Sequence, residues 1–179
     1  MKVGLSVRLV RIGRTALLTV AVCAIAFQLC SFFGLRVNTS PSLPIGLYKI
    51  TADGTGSLVE FCPPEPFAAL SLVRGFRSAG SCPDGGAPLL KPIIARPGDL
   101  VEISSRGIAV NGVLLANTAP LTQDSRGRPL KTWRYGSFVV ATRTVWVASS
   151  YNSHSFDSRY FGPISTLRIR DRLRPLFTL

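Results

Sequence analysis

Histidine is almost missing from this chain, with His154 the sole example, and acidic residues number only nine among 179. Four cysteines are present, but none stands at zinc-finger spacing or beside histidine partners, so no metal site and no cofactor are expected. Lysine is scarce too: of 21 basic residues only Lys2, Lys49, Lys91 and Lys131 are lysines, so any lysine chemistry has few candidates. Beyond residue 36 there is no run with the 3.6-residue apolar period of an amphipathic helix, and no internal repeat. The shortage of acids leaves a net charge of +12. That excess invites a nucleic-acid partner, but the arginines are scattered, without a helix-turn-helix pattern or an RNP-like aromatic run. No nucleic acid is therefore expected. A basic surface facing anionic lipid accounts for the charge as well.

What is present begins at the amino end. Residues 1–14 carry Lys2, Arg8, Arg11 and Arg14 and no acid, and residues 15–35 then run without a charge. A helix of that length spans roughly 30 Å, the thickness of a bilayer's hydrocarbon core. The basic flank predicts a cytoplasmic amino terminus (1–14), a membrane helix (15–35) and delivery of 36–179 to the outer face. A cleaved secretory signal starts the same way, but its apolar region is shorter and ends in a small-residue cleavage site. The small-x-small triplets here, Ala21-Val22-Cys23 and Ala24-Ile25-Ala26, lie inside the run, so a retained anchor is favoured.

In the exported part Cys62 and Cys82 stand 20 residues apart around a Pro/Gly-rich stretch. In an oxidising compartment they can staple a long loop; otherwise they are two free thiols. The rest reads as strand. Ser57-Leu58-Val59-Glu60-Phe61, the apolar run from Leu89 to Ala95, and Leu100-Val101-Glu102-Ile103 with Gly107-Ile108-Ala109-Val110 are the clearest. Asn111-Gly112 between apolar runs is a two-residue hairpin signal. Phe138–Ala141 and Val145–Ala148 are expected to pair around Thr142-Arg143-Thr144, and Leu167-Arg168-Ile169-Arg170 alternates like a half-buried strand. The domain is therefore expected to be mainly β, a partly open barrel or a pair of small sheets.

Two residues stand out chemically. Lys91 lies among Leu89, Leu90, Pro92, Ile93 and Ile94. Burial there would penalise its charged form and lower its pKa, making it a general base for a serine; an edge-strand lysine reaching water is the ordinary alternative. Ser42, between Pro41 and Leu43-Pro44, is either linker or a nucleophile on a restrained backbone. A rival triad would use His154 with Asp157, although His154 sits in a polar loop. Asp157 precedes Arg159 by two residues, which suits an ion pair holding a turn or a carboxylate orienting a lysine or serine.

Three blocks, Asn38 to Tyr48, Leu90-Lys91 through Pro97-Gly98-Asp99, and Asp157-Ser158-Arg159-Tyr160-Phe161-Gly162-Pro163, together resemble the type I signal peptidase superfamily (peptidase S26), in particular its TraF branch of conjugative-transfer peptidases. The resemblance implies a signal-peptidase/LexA-like β domain, with Ser42 as nucleophile and Lys91 as general base. It implies an oxyanion hole from the Ser42 N–H and Ser40, Asp157 as a third catalytic residue or as a structural partner, and Arg159 in support. It further implies a membrane-embedded pilin precursor as substrate, the lipid bilayer and the conjugative transfer machinery as partners, and the bacterial inner membrane as location, with the domain periplasmic. A general signal peptidase and a non-catalytic assembly protein are the alternatives. Pro92 after the lysine, and Ser150-Tyr151-Asn152 where leader peptidases carry Gly-Asp-Asn, depart from the family pattern.

Overall fold

The computed structural model describes residues 14–22, 24, 28, 32–52 and 54–179. Most of the basic amino terminus and part of the expected span at 15–35 lie outside these. Residues 14–22 are helical, and among the described residues no helix is long and apolar enough to cross a membrane. Residues 37–179 form one compact unit.

That unit is built on two sheets. The larger has the order β1-β2-β11-β3-β4-β9-β10 and the smaller β7-β6-β5-β8. In chain order the strands are β1 (Leu35–Asn38), β2 (Gly46–Ile50), β3 (Leu58–Phe61), β4 (Leu89–Ala95), β5 (Leu100–Ser104), β6 (Gly107–Val110) and β7 (Val113–Leu114). They continue with β8 (Gly136–Val139), β9 (Thr144–Val147), β10 (Ile164–Ser165) and β11 (Ile169–Thr178). The mainly β expectation holds. So does the hairpin at Asn111-Gly112: Val110 faces Val113, and both turn residues take the positive φ that a tight two-residue turn demands.

One pairing differs from expectation. β8 pairs with β5, whereas β9 pairs with β4 and β10, so the Ala141–Thr144 turn joins different sheets. The reason is burial. Val145 and Val147 enter the core with Val59, Phe61, Leu89, Phe156 and Phe161; Trp146 and Ala148 enter a second core with Val101, Ile103 and Ile108. A strand buried on both faces needs neighbours on both edges, which a terminal hairpin cannot supply. Short helices also occur. α1 (Phe67–Val73) buries Ala68 and Ser71 and lays Phe67 and Leu70 against the first core; its seven residues are too few to show a helical period. α2 (Ser158–Phe161) is a single turn; of the expected strand Leu167-Arg168-Ile169-Arg170, the first two residues lie in a 3-10 turn (Thr166–Arg168) and the last two open β11.

Cys62 and Cys82 are disulfide-bonded, closing the loop that carries α1 and Phe76. On β4, side chains alternate, so Lys91 shares the face of Leu89 and is driven inward toward the first core, directly opposite Val59 of β3.

Candidate active site

The segment carrying Ser42 is not a loose linker. The Asn38 side chain, at the end of β1, directs its Nδ2 at the carbonyls of Ser40 (3.0 Å), Leu43 (3.3 Å) and Pro44 (3.1 Å), and accepts the Ser40 N–H at 3.2 Å. The Tyr48 hydroxyl donates to Pro44 O at 2.6 Å. Gly46 is required where β11 crosses, because a Cβ there would lie 2.2 Å from Phe177 O. The result is a fixed turn between β1 and β2, with Ser42 only 7% exposed.

Ser40 Oγ lies 2.9 Å from Ser42 Oγ and 3.4 Å from the Ser42 backbone nitrogen. Ser40, Ser42 and Lys91 line one cavity of about 190 Å³. Its apolar wall includes Phe76, Leu89, Leu121, Leu130 and Phe156. Lys91 is 3% exposed. Burial away from water is the main force on its ammonium; the Asp157 carboxylate partly opposes this and the Arg159 guanidinium reinforces it, leaving a pKa lowered from 10.5 to about 8. At neutral pH a usable fraction of Lys91 is thus an amine with a free lone pair.

Asp157 stands behind the cavity, not in its lining. It and Arg159 are fully buried. Arg159 Nε donates to Asp157 Oδ1 and its terminal nitrogen to Oδ2, both at 2.8 Å, and the Ser149 N–H reaches Oδ2 at 3.1 Å. Asp157 also caps α2 by accepting the Arg159 N–H. The remaining Arg159 donors hold the carbonyls of Asn117 and Ser153 at 2.9 Å each. Both carboxylate oxygens are therefore occupied by other groups, and His154 sits exposed at the cavity rim. The Ser–His–Asp arrangement is not assembled among the described residues.

A serine on the β1–β2 turn and a buried lysine on β4 thus share one cavity, backed by a buried Asp–Arg pair. The signal peptidase family, peptidase S26, matches residues 8–177. The chain belongs to this family. Plasmid transfer protein TraF of Escherichia coli is 37% identical over 148 residues, covering 81% of this chain and 83% of the relative. Probable conjugal transfer protein TraF of Sinorhizobium fredii is 41% identical over 140 residues, or 74% and 71%. Conjugal transfer protein TraF of Agrobacterium fabrum is 38% identical over 150 residues, or 81% and 83%.

Several site residues had no sequence signal. Asn38 was visible only as part of a motif, and nothing marked its side chain as the organiser of the turn. Ser149 and Asn152 act on backbone carbonyls 107 and 111 positions away. Ser155 lines the cavity with a buried hydroxyl that has no hydrogen-bond partner among the described residues. A run of serines such as Ser149, Ser150, Ser153 and Ser155 looks like ordinary polar loop in one dimension.

Proposed function

We propose that this chain is a membrane-anchored serine endopeptidase that processes a pilin precursor during conjugative transfer. The observation that carries the chemistry is Lys91, buried in the same cavity as Ser42 with its pKa lowered to about 8. Ser42 Oγ attacks the scissile carbonyl carbon while neutral Lys91 takes its proton. Lys91 returns that proton to the leaving amine as the C–N bond breaks, and the substrate's acyl half remains as an ester on Ser42. The developing oxyanion takes the Ser42 N–H, with Ser40 turning its hydroxyl from Ser42 to the same oxygen. Asp157 and Arg159, paired behind the cavity, contribute opposing charges to the field on Lys91. Water, or the substrate's own amino terminus, then resolves the ester, and the second route closes a ring.

The conjugative setting is supported by the relatives named as plasmid and conjugal transfer proteins, and the pilin substrate rests on the family resemblance of the three motif blocks. The anchor at 15–35, the cytoplasmic amino terminus and the periplasmic domain rest on the charge-free run and its basic flank. Such an anchor would hold Ser42 near the bilayer, where a substrate tethered in the same membrane meets it at reduced entropic cost.

The test is mass spectrometry of the pilin from cells carrying the native enzyme or Ser42→Ala. A mature product that requires Ser42 supports the reading, and a mass about 18 Da below the linear peptide identifies ring closure through the acyl-enzyme. If pilin is unchanged between strains, the pilin assignment fails; accumulation of other precursors would then indicate a general signal peptidase, and none at all an assembly protein.

A further inference from the structure

The two peptide groups flanking Ser42 are each gripped by the segment that carries Asp157 and Arg159. Asn152 Nδ2 donates to Pro41 O at 3.1 Å, and the Ser149 hydroxyl makes a short hydrogen bond to Ser42 O. Pro41 O belongs to the same peptide unit as the Ser42 N–H. A trans peptide is planar, with its carbonyl and N–H pointing in opposite directions, so fixing the oxygen fixes the direction of the N–H. A donor on the oxygen also polarises the unit and makes that N–H a stronger donor.

Both gripping residues are themselves held. The Asn152 amide is oriented because its Oδ1 accepts the His154 N–H at 2.8 Å, which leaves Nδ2 for Pro41. Asn152 O lies 3.4 Å from an Arg159 nitrogen. Ser149 is fully buried; its N–H is tied to Asp157, and its hydroxyl oxygen accepts the N–H groups of Tyr151 (3.1 Å) and Asn152 (3.3 Å). An unbroken chain of bonds thus runs from the Asp157–Arg159 pair through Ser149 and Asn152 to the backbone of Ser42.

We infer that Asn152 is a positioning residue for the oxyanion hole: it aims the Ser42 N–H through Pro41 O, with Ser149 locking the peptide on the other side. The inference rests on Ser42 being the nucleophile. It also gives the Asp157–Arg159 pair a second task, holding the oxyanion donor in place from behind the cavity.

The discriminating substitution is Asn152→Leu in the full-length protein. Leucine keeps nearly the same volume and adds no charge to the cavity that holds Lys91, and it removes the donor to Pro41 O together with the acceptor for the His154 N–H. The probe is an internally quenched peptide with alanine before the scissile bond. Deleting an oxyanion donor outright costs on the order of 100- to 1000-fold in kcat, so a donor that is present but misaimed is expected to cost about 10- to 100-fold. KM should stay within twofold or so, and the acid limb of the pH profile should not move, because Lys91 keeps its surroundings. Asn152→Ala should match it. A kcat within about twofold of wild type, a loss carried wholly by KM, or a displaced acid limb overturns the inference. Ser42→Ala run in parallel separates the two levels: if that variant still cleaves the peptide, the nucleophile assignment itself is what fails.

Discussion

Replacing Lys91 with methionine should destroy activity and strengthen the fold. A methionine fills nearly the same volume without a charge. The folded protein holds Lys91 at a pKa of about 8, against 10.5 in its ordinary state. Below pH 8 the lysine is protonated whether the chain is folded or not, and the folded state bears the full cost of burying the charge. That difference in pKa corresponds to about 3 kcal/mol. Between about pH 8 and 10.5 the unfolded chain binds this proton and the folded one does not, so wild-type stability rises with pH through that window. Lys91→Met should therefore be more stable than wild type by up to about 3 kcal/mol at pH 7, with the gain nearly gone by pH 10.5. Guanidinium unfolding at both pH values reads this directly. Activity supplies the matching curve: only about a tenth of Lys91 is neutral at pH 7, so kcat/KM should climb close to tenfold per pH unit below pH 7 and level off above about pH 8. A less stable Lys91→Met at pH 7, or a rate that is flat from pH 6 to 9, would refute the reasoning.

Other substitutions probe the framework. Asp157→Ala leaves the Arg159 charge buried without its carboxylate and should lower stability by about 3–5 kcal/mol in a denaturant titration. Since Asp157 opposes the depression of the Lys91 pKa, any folded Asp157→Asn protein should show its acid limb moved to lower pH. Changing Cys62 and Cys82 to serine should cost about 3 kcal/mol, measured by the same titration, because the disulfide closes a 20-residue loop.

How much of this was legible in one dimension depended on the range over which each signal acts. β3 to β7 were legible because alternation, apolar runs and Asn111-Gly112 are local. The partners of β8 and β9 were not, since both strands satisfy a hairpin pattern and only the burial of Trp146 on a different face from Val145 and Val147 sends them to separate sheets. In the site, Ser42 and Lys91 emerged through motif resemblance, while the local composition of each also suited a linker and an edge strand. The placement of Asp157 behind the cavity follows from Arg159 and Ser149 occupying its oxygens. Ser149 went unmarked, and Asn152 stood out only within the Ser150-Tyr151-Asn152 stretch that departs from the family pattern, because a side chain bonded to a distant carbonyl leaves no periodicity and no spacing to read.

The position of β11 bears on when the site comes into being. This strand lies between β2 and β3, pairing its carboxy half with Gly46–Ile50 and its amino half with Leu58–Phe61. The Ser42 turn leads directly into β2, and Lys91 lies on β4 beyond β3. Within the large sheet, therefore, the strand after Ser42 joins the strand of Lys91 only through β11. A ribosome makes Ser42 and Lys91 early and β11 after every other element described, so a growing chain carries both residues well before the wedge that brings their strands into one sheet. Until then the proposed nucleophile and base stand on strands not yet joined, and the sheet that holds both is completed only when the last strand is in place.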